Sequence, residues 1–190
     1  MKALSKLFIP LFFTLILIAC KDDKDSSEEA KQSNSALQEM LIRLPIDYEM
    51  GDEFCYVNAQ GDTVIPVGKF LHSFSDTIID YGVVVEQTEG SYDLIAINPK
   101  GERLYKVYLF DNGPDYLIEG MFRIVKNDKI GFADSTGAIV IEPQFACAYQ
   151  FSDGKAKVAF DCELEEDGEH SAMVSDNWIF IDKTGEIVDE

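Results

Sequence analysis

Four copies of one short pattern constrain the fold of this 190-residue chain more than any other feature. In each copy an apolar run of strand length ends at Asn or Asp, a glycine follows three residues later, and a second apolar run begins. The Asn or Asp side chain bonds forward to the backbone, and the glycine takes the left-handed conformation that closes the turn. The pattern therefore predicts four β-hairpins, with turns at 58–61, 98–101, 134–137 and 182–185.

Each repeat has room for one or two further strands, because the turn glycines lie 36 to 48 residues apart. After the third hairpin, the segment 143–154 leads into 155–160, which alternates polar and apolar residues as a half-buried strand does. The second repeat has a turn at 110–115 and a strand at 119–125 in the same places. We predict an all-β domain over 46–190, built from antiparallel β-hairpin and meander repeats in about four units.

The stretch 120–158 resembles the WG repeat, also called the KWG repeat. The positions that fit its pattern are Gly131, Phe132, Asp134, Gly137, Val140, Ile141, Pro143, Phe145, Ala148, Phe151, Gly154, Ala156 and Val158. Two positions depart from it: Ile130 replaces the Trp of the third unit, and Ile179 replaces the Gly that should follow Trp178. The resemblance covers most of 53–188. It implies a β-repeat fold and brings no catalytic motif.

A short helix is expected just before the repeats, within 35–45. Ser35 and Gln38 fit a capping box, and apolar residues follow at helical spacing until Pro45 ends the pattern. The apolar residues are Leu37, Met40, Leu41 and Leu44.

The first nineteen residues read as a secretion signal, with a lysine-bearing start and an apolar run from Leu7 to Ile18. The run is shorter than the roughly 20 apolar residues of a membrane-spanning helix. The sequence Leu17-Ile18-Ala19-Cys20 resembles the lipobox of bacterial lipoproteins. That resemblance implies that Cys20 carries lipid, palmitate included, becomes the first mature residue, and holds the protein on a membrane.

Residues 20–34 form an acidic tether that is too polar and too charged to fold. The patch at 21–25 resembles the export signal that places some Gram-negative lipoproteins on the outer face of the outer membrane. We therefore expect a cell-envelope, outer-membrane lipoprotein, and the choice between surface exposure and the inner leaflet stays open.

The net charge is −19, and it becomes −21 without residues 1–19, which carry two lysines and no acids. Such a charge is unfavourable for nucleic acid, and we expect no nucleic-acid partner.

Three cysteines remain besides Cys20. If the strand after the turn at 152–154 runs antiparallel to the segment before it, Cys147 pairs with about residue 159, and Cys162 comes within reach of a disulfide. The alternative is that all three thiols are free and buried as small hydrophobic groups. The second alternative is preferred, and Cys55 is expected to be unpaired in either case.

Patterns for catalysis or metal binding are missing from the sequence. It has no nucleophile elbow, no phosphate-binding glycine loop and no paired metal ligands, so no cofactor and no enzymatic activity are expected. His72 and His170 are predicted to be structural. The acidic run 161–169 is interpreted as a solvated loop, with a weak calcium site as the alternative, and 111–115 as a simple connection rather than a ligand-presenting loop.

The resulting functional hypothesis is a lipid-anchored, non-catalytic binding module whose protein or glycan partner is unknown. A carbohydrate-binding or hydrolase-accessory surface lipoprotein is the alternative, in which Trp178 stacks on sugars.

Overall fold

The structure is a computed structural model that describes residues 40–167 and 170–189. Within these ranges the protein is all-β, with every paired strand antiparallel and no helix, so none that could cross a membrane. In chain order the strands are β1 (Leu41–Leu44), β2 (Cys55–Val57), β3 (Thr63–Ile65), β4 (His72–Ser73), β5 (Thr77–Ile78), β6 (Gly82–Thr88), β7 (Ser91–Ile97), β8 (Arg103–Val107), β9 (Leu109–Phe110), β10 (Gly113–Pro114), β11 (Met121–Lys126), β12 (Lys129–Asp134), β13 (Ile139–Phe145), β14 (Cys147–Ala148), β15 (Ala156–Ala159), β16 (Glu163–Asp167), β17 (His170–Val174), β18 (Ile179–Ile181) and β19 (Ile187–Val188).

These strands form four three-stranded units. Unit 1 is β1-β2-β3, unit 2 is β6-β7-β8, unit 3 is β11-β12-β13, and unit 4 is β15-β18-β19. Units 2 and 3 join edge to edge through β8 and β11 into a seven-stranded sheet of order β13-β12-β11-β8-β7-β6-β4. Units 1 and 4 lie in separate four-stranded sheets, of order β3-β2-β1-β5 and β14-β15-β18-β19. The hairpins β9-β10 and β16-β17 are two-stranded additions.

The predicted turns close each unit in the same way. In the third, Asp134 Oδ1 accepts hydrogen bonds from the backbone N–H of Thr136 at 2.8 Å and of Ala138 at 3.1 Å. Gly137 donates its N–H to the Asp134 carbonyl at 2.9 Å and has a φ of +79°. The turns that begin at Asn58, Asn98 and Asp182 repeat both side-chain bonds and the positive φ of the glycine. The four-hairpin prediction is therefore confirmed.

The register of the strands is also the same in all four units. In each, the residue two positions before the turn's Asn or Asp lies opposite one residue of the first strand and one of the third. We call these three residues the central row. The rows are Arg43-Tyr56-Ile65, Val83-Ala96-Tyr105, Arg123-Phe132-Ile141 and Lys157-Phe180-Val188.

The units are stacked as layers, because the central row of one unit packs on the opposite face of the next. Three hydrophobic clusters fill the three interfaces. Tyr56 and Ile65 of unit 1 meet Val84 and Ile95 of unit 2 in the first cluster. The second joins Ala96 and Tyr105 to Phe122 and Ile124, and the third joins Phe132 and Ile141 to Val158 and Ile181. Each layer thus has one face toward the preceding unit and one toward the following unit.

The expected helix is wrong over Leu41–Leu44, which form strand β1. Leu41 and Arg43 are 2% and 7% exposed, whereas Ile42 and Leu44 are 37% and 38% exposed, so burial alternates with a period of two. Backbone pairing with β2 and β5 across the sheet overrides the local helical spacing. The remainder of the predicted helix, 35–39, lies outside the described residues.

Candidate binding surfaces

Among residues 40–167 and 170–189, no further unit packs on the outer face of unit 4. We define the C-terminal end face as its central row, Lys157-Phe180-Val188, together with Tyr149 and Trp178. Every central-row residue of units 1 to 3 is at most 9% exposed, whereas all three of unit 4 are only half-buried. At the Trp178 position, the counterparts Phe54 and Ile130 are 4% and 5% exposed, whereas Leu94 of unit 2 is half-buried like Trp178. Unit 4 therefore presents residues that elsewhere belong to the core.

The aromatic side chains of this face form a shallow platform. The ring centroids of Tyr149 and Trp178 are 5.4 Å apart with the planes at 45°, and Lys157 Nζ lies 4.9 Å from the Trp178 ring. Tyr149 is 44% exposed. The platform combines flat apolar rings with one cation, which suits a partner that offers apolar area with a hydrogen-bond acceptor, or the faces of a sugar ring.

The same position in unit 3 shows how such a cation is covered inside the stack. Arg123 and Asp115 form a buried bidentate pair, with Nη2 to Oδ1 at 2.6 Å and Nε to Oδ2 at 2.9 Å. Arg123 also donates to the Ala148 carbonyl of the next layer and stacks 4.0 Å from the centroid of Tyr108. Gln150 completes the carboxylate at 2.9 Å. Lys157 of unit 4 has its aromatic contact with Trp178 instead, and no described residue forms a layer that covers it.

A second concave surface lies where units 2 and 3 meet. This groove encloses about 460 Å³. Asp93 is its most constrained polar group: although burial raises its pKa, hydrogen bonds from Lys106 and Arg103 outweigh burial and hold the pKa below the usual value. Tyr92 at its rim is 67% exposed. Most of the lining is apolar or aromatic, including Phe74, Leu94, Val107, Tyr108, Leu109 and Val125.

The acidic run at 161–169 falls mainly in the hairpin β16-β17, beside a polar cavity of about 570 Å³. Asn177 and Asp161 close its rim with a hydrogen bond of 2.9 Å. Among the described residues there is no group of three or more acidic, His or Cys side chains placed to hold a metal ion.

The cysteine prediction is corrected in one respect. Cys147 lies opposite Ala159 in β15, as expected, and it is joined to Cys162 by a disulfide with the Cα atoms 5.8 Å apart. The preference for three free thiols is therefore wrong, because the register brings the two cysteines into bonding geometry. Cys55 is the one free cysteine among the described residues.

His72 lies in β4, where its Nδ1 is 2.6 Å from the Tyr48 hydroxyl and its ring is 4.6 Å from that of Phe74. Burial lowers its pKa, and the Arg43 guanidinium lowers it further. These contacts fit the structural role predicted from the sequence.

Two sequence predictions concerned other sites. Cys20 lies outside the described residues. The segment 111–115 does connect strands, but it ends at the buried Asp115, whose role in pairing with Arg123 the sequence analysis missed. A lone Asp beside an Asn-Gly turn gives no signal of a buried ion pair, although an Arg in an apolar strand does suggest that a carboxylate lies nearby.

Comparison with known proteins gives one match. Residues 130–161, which span unit 3 from β12 to the start of unit 4, match a family model described as "WG containing repeat". No curated protein and no solved structure matches the chain. The matched segment contains the turn at 134–137, the third strand β13, and the connection from β13 to β15. The other units repeat the strand register of unit 3. The chain thus contains a WG repeat at residues 130–161.

Proposed function

We propose that this protein is a non-catalytic binding module, exported and held at the cell envelope by lipid on Cys20. The observation that carries the proposal is the C-terminal end face, where the central row Lys157-Phe180-Val188 is accessible although the other units bury theirs, with Trp178 and Tyr149 beside it. Terminal repeats of stacked proteins normally present a polar outer face. An aromatic outer face on a strongly acidic chain is therefore a candidate interaction surface.

Trp178 is the residue expected to dominate binding. Buried Trp and Tyr anchors supply most of the energy of protein interfaces, and truncating such an anchor costs about 2 kcal/mol or more. The experiment places a photo-crosslinking residue at Lys157 in living cells, identifies the adduct by mass spectrometry, and measures its affinity for the purified full-length protein. Trp178→Ala should weaken that affinity roughly thirtyfold, the equivalent of about 2 kcal/mol.

Tyr116→Ala is the matched control, because Tyr116 is an exposed aromatic residue between β10 and β11 that belongs to neither the end face nor the groove. Equal affinities for wild type, Trp178→Ala and Tyr116→Ala would contradict the assignment of the surface.

The second candidate function is carbohydrate binding, favoured by the tilted Tyr149–Trp178 pair and its lysine. Paired aromatic rings present the apolar faces that sugars pack against. A glycan array probed with the full-length protein tests it: binding that Trp178→Ala abolishes would favour this function over a protein partner, and an array without signal would exclude the glycans it carries.

The anchor has its own test. Cys20→Ser should abolish labelling by a palmitate analogue and release the protein from the membrane fraction. A serine variant that stays wholly in the membrane fraction would contradict lipidation as the anchor.

A further inference from the structure

The stack has two ends, and both expose residue types that pack inside it. We define the N-terminal end face as Ile42, Leu44, Cys55 and Val57 of unit 1. Ile42 and Leu44 are 37% and 38% exposed, and Cys55 and Val57 are half-buried. They lie opposite one another as the pairs Ile42–Val57 and Leu44–Cys55. This face is therefore a small aliphatic patch on the side of unit 1 where the described part of the chain places no preceding unit.

The corresponding pairs in the later units are all interface residues. In unit 2 the pair Val84–Ile95 is fully buried against unit 1, and in unit 4 the pair Ala156–Ile181 is at most 1% exposed. In each interface these aliphatic residues meet the central row of the preceding unit. Ile42 and Val57 hold the same register positions as Ala156 and Ile181, but they have no row to meet.

We propose that a second copy of this chain supplies that row: the C-terminal end face of one copy packs on the N-terminal end face of the next. This inference rests on the proposed function in taking the C-terminal end face as the binding surface, and it names the partner. The contact would continue the three layer interfaces already inside the chain. Because it joins two different surfaces, it is heterologous and propagates head to tail into rings or open chains.

The turn glycines provide a further feature of the template. Each interior turn glycine contacts the third strand of the preceding unit, although Gly137 does so through its carbonyl, which accepts a hydrogen bond from the Tyr105 hydroxyl at 2.6 Å. A Cβ at Gly185 would be 3.5 Å from the Ile141 side chain, and one at Gly101 would be 3.0 Å from that of Ile65. Nothing lies within 4 Å of the equivalent Cβ position at Gly61. Continuation of the stack would place the Gly61 turn over Val188 of the neighbouring copy.

Charge determines the conditions under which copies associate. The chain carries −19, so like charges oppose the approach of two copies while the apolar end faces favour it. Salt screens the repulsion and leaves apolar burial intact, since the Debye length falls from about 10 Å at 0.1 M to about 3 Å at 1 M ionic strength. Association should therefore strengthen as salt is added, the opposite of an ion-pair interface.

A complementation experiment tests the inference with the full-length chain carrying Cys20→Ser, so that lipid does not contribute. Trp178→Glu blocks the C-terminal end face and Ile42→Glu blocks the N-terminal one. In sedimentation velocity, the unblocked protein should form species of two or more copies, increasingly so with salt. Each blocked variant alone should be monomeric, whereas an equimolar mixture should give a complex of two chains and nothing larger.

Tyr116→Glu is the control, and it should associate like the unblocked protein because Tyr116 is 51% exposed and lies outside both end faces and the groove. If circular dichroism shows that either blocked variant is unfolded, Tyr149→Glu and Leu44→Glu replace them, since both sites are already exposed.

Three results would overturn the inference. The first is an unblocked protein that stays monomeric at about 100 μM in high salt, where even a weak contact would be populated. The second is an Ile42→Glu variant that dimerises alone, which would mean that like faces pair, and the third is a mixture of the two blocked variants that remains monomeric. Failure here combined with Trp178-dependent binding of a different partner would leave the proposed function intact.

Discussion

The buried pair of Arg123 and Asp115 gives the sharpest stability prediction, because it holds unit 3 to unit 4. The two side chains are 3% and 0% exposed. Asp115 accepts four hydrogen bonds, three from Arg123, including its backbone N–H at 2.8 Å, and one from Gln150. Asp115→Ala would remove all four acceptor contacts and leave a guanidinium buried with only a carbonyl and the Tyr108 ring.

The expected cost follows from that burial. Removing one partner of a buried ion pair costs about 3–5 kcal/mol, because the other charge remains desolvated. For a chain of this size about 1 kcal/mol corresponds to about 2–4 °C in Tm, so Asp115→Ala should lower Tm by roughly 6–20 °C. The double variant Asp115→Leu with Arg123→Met removes both charges and should recover a large part of the loss.

The assay is urea unfolding together with thermal melting by circular dichroism. Glu86→Ala serves as the control, since Glu86 pairs with Arg103 at a solvent-accessible site where removal should cost less than about 1 kcal/mol. A loss for Asp115→Ala no larger than that of the control, or a double variant as unstable as the single one, would refute the reasoning.

Three further predictions address the disulfide, a turn and a histidine. Cys147→Ser should lower the free energy of unfolding by about 3 kcal/mol, because the bridge spans 15 residues; thiol counting on the denatured, unreduced Cys20→Ser protein should give one thiol, and three would rule the bridge out. Gly137→Ala should cost about 1 kcal/mol more of unfolding free energy than Gly154→Ala, as measured by urea unfolding. Both glycines have positive φ, but only the Cβ at 137 would meet a tyrosine ring, at 2.6 Å. Equal costs would contradict that close approach. Burial and a neighbouring guanidinium lower the folded pKa of His72. The contribution of His72 to stability is therefore complete above the unfolded pKa of about 6.5 and falls as pH drops toward the folded pKa. Melts at successive pH values should show a slope of Tm against pH that His72→Gln lacks, and an unchanged slope would exclude His72 as its source.

The features that the sequence predicts correctly are those encoded locally. The turn at 134–137 needs only Asp134, its two forward hydrogen bonds and a glycine, and all of these lie within five residues. The pairing of Cys147 with Ala159 follows from one short turn in the same way.

The features that it misses depend on which layers come together. The helical spacing around Leu41 loses to pairing with β5, whose residue Ile78 is far away in the sequence. Arg123 finds Asp115 and the Ala148 carbonyl only once the β9-β10 hairpin and unit 4 are in place. The distinction between Trp178 and Ile130 is likewise invisible in the pattern, because both hold the same position and they differ in that side chains of unit 4 pack in one cluster with Ile130.

The last unit leaves accessible a central row that the other units bury, and Trp178 reports on the surface beside that row because it is the single tryptophan of the chain. The measurement is acrylamide quenching of its fluorescence in dilute, folded Cys20→Ser protein, compared with the same protein in urea. We expect clear quenching, at a substantial fraction of the unfolded value, that diminishes as the protein concentration rises and end faces become covered. A blue-shifted emission that acrylamide barely quenches at any concentration would show that Trp178 is buried like Ile130, and would contradict the account.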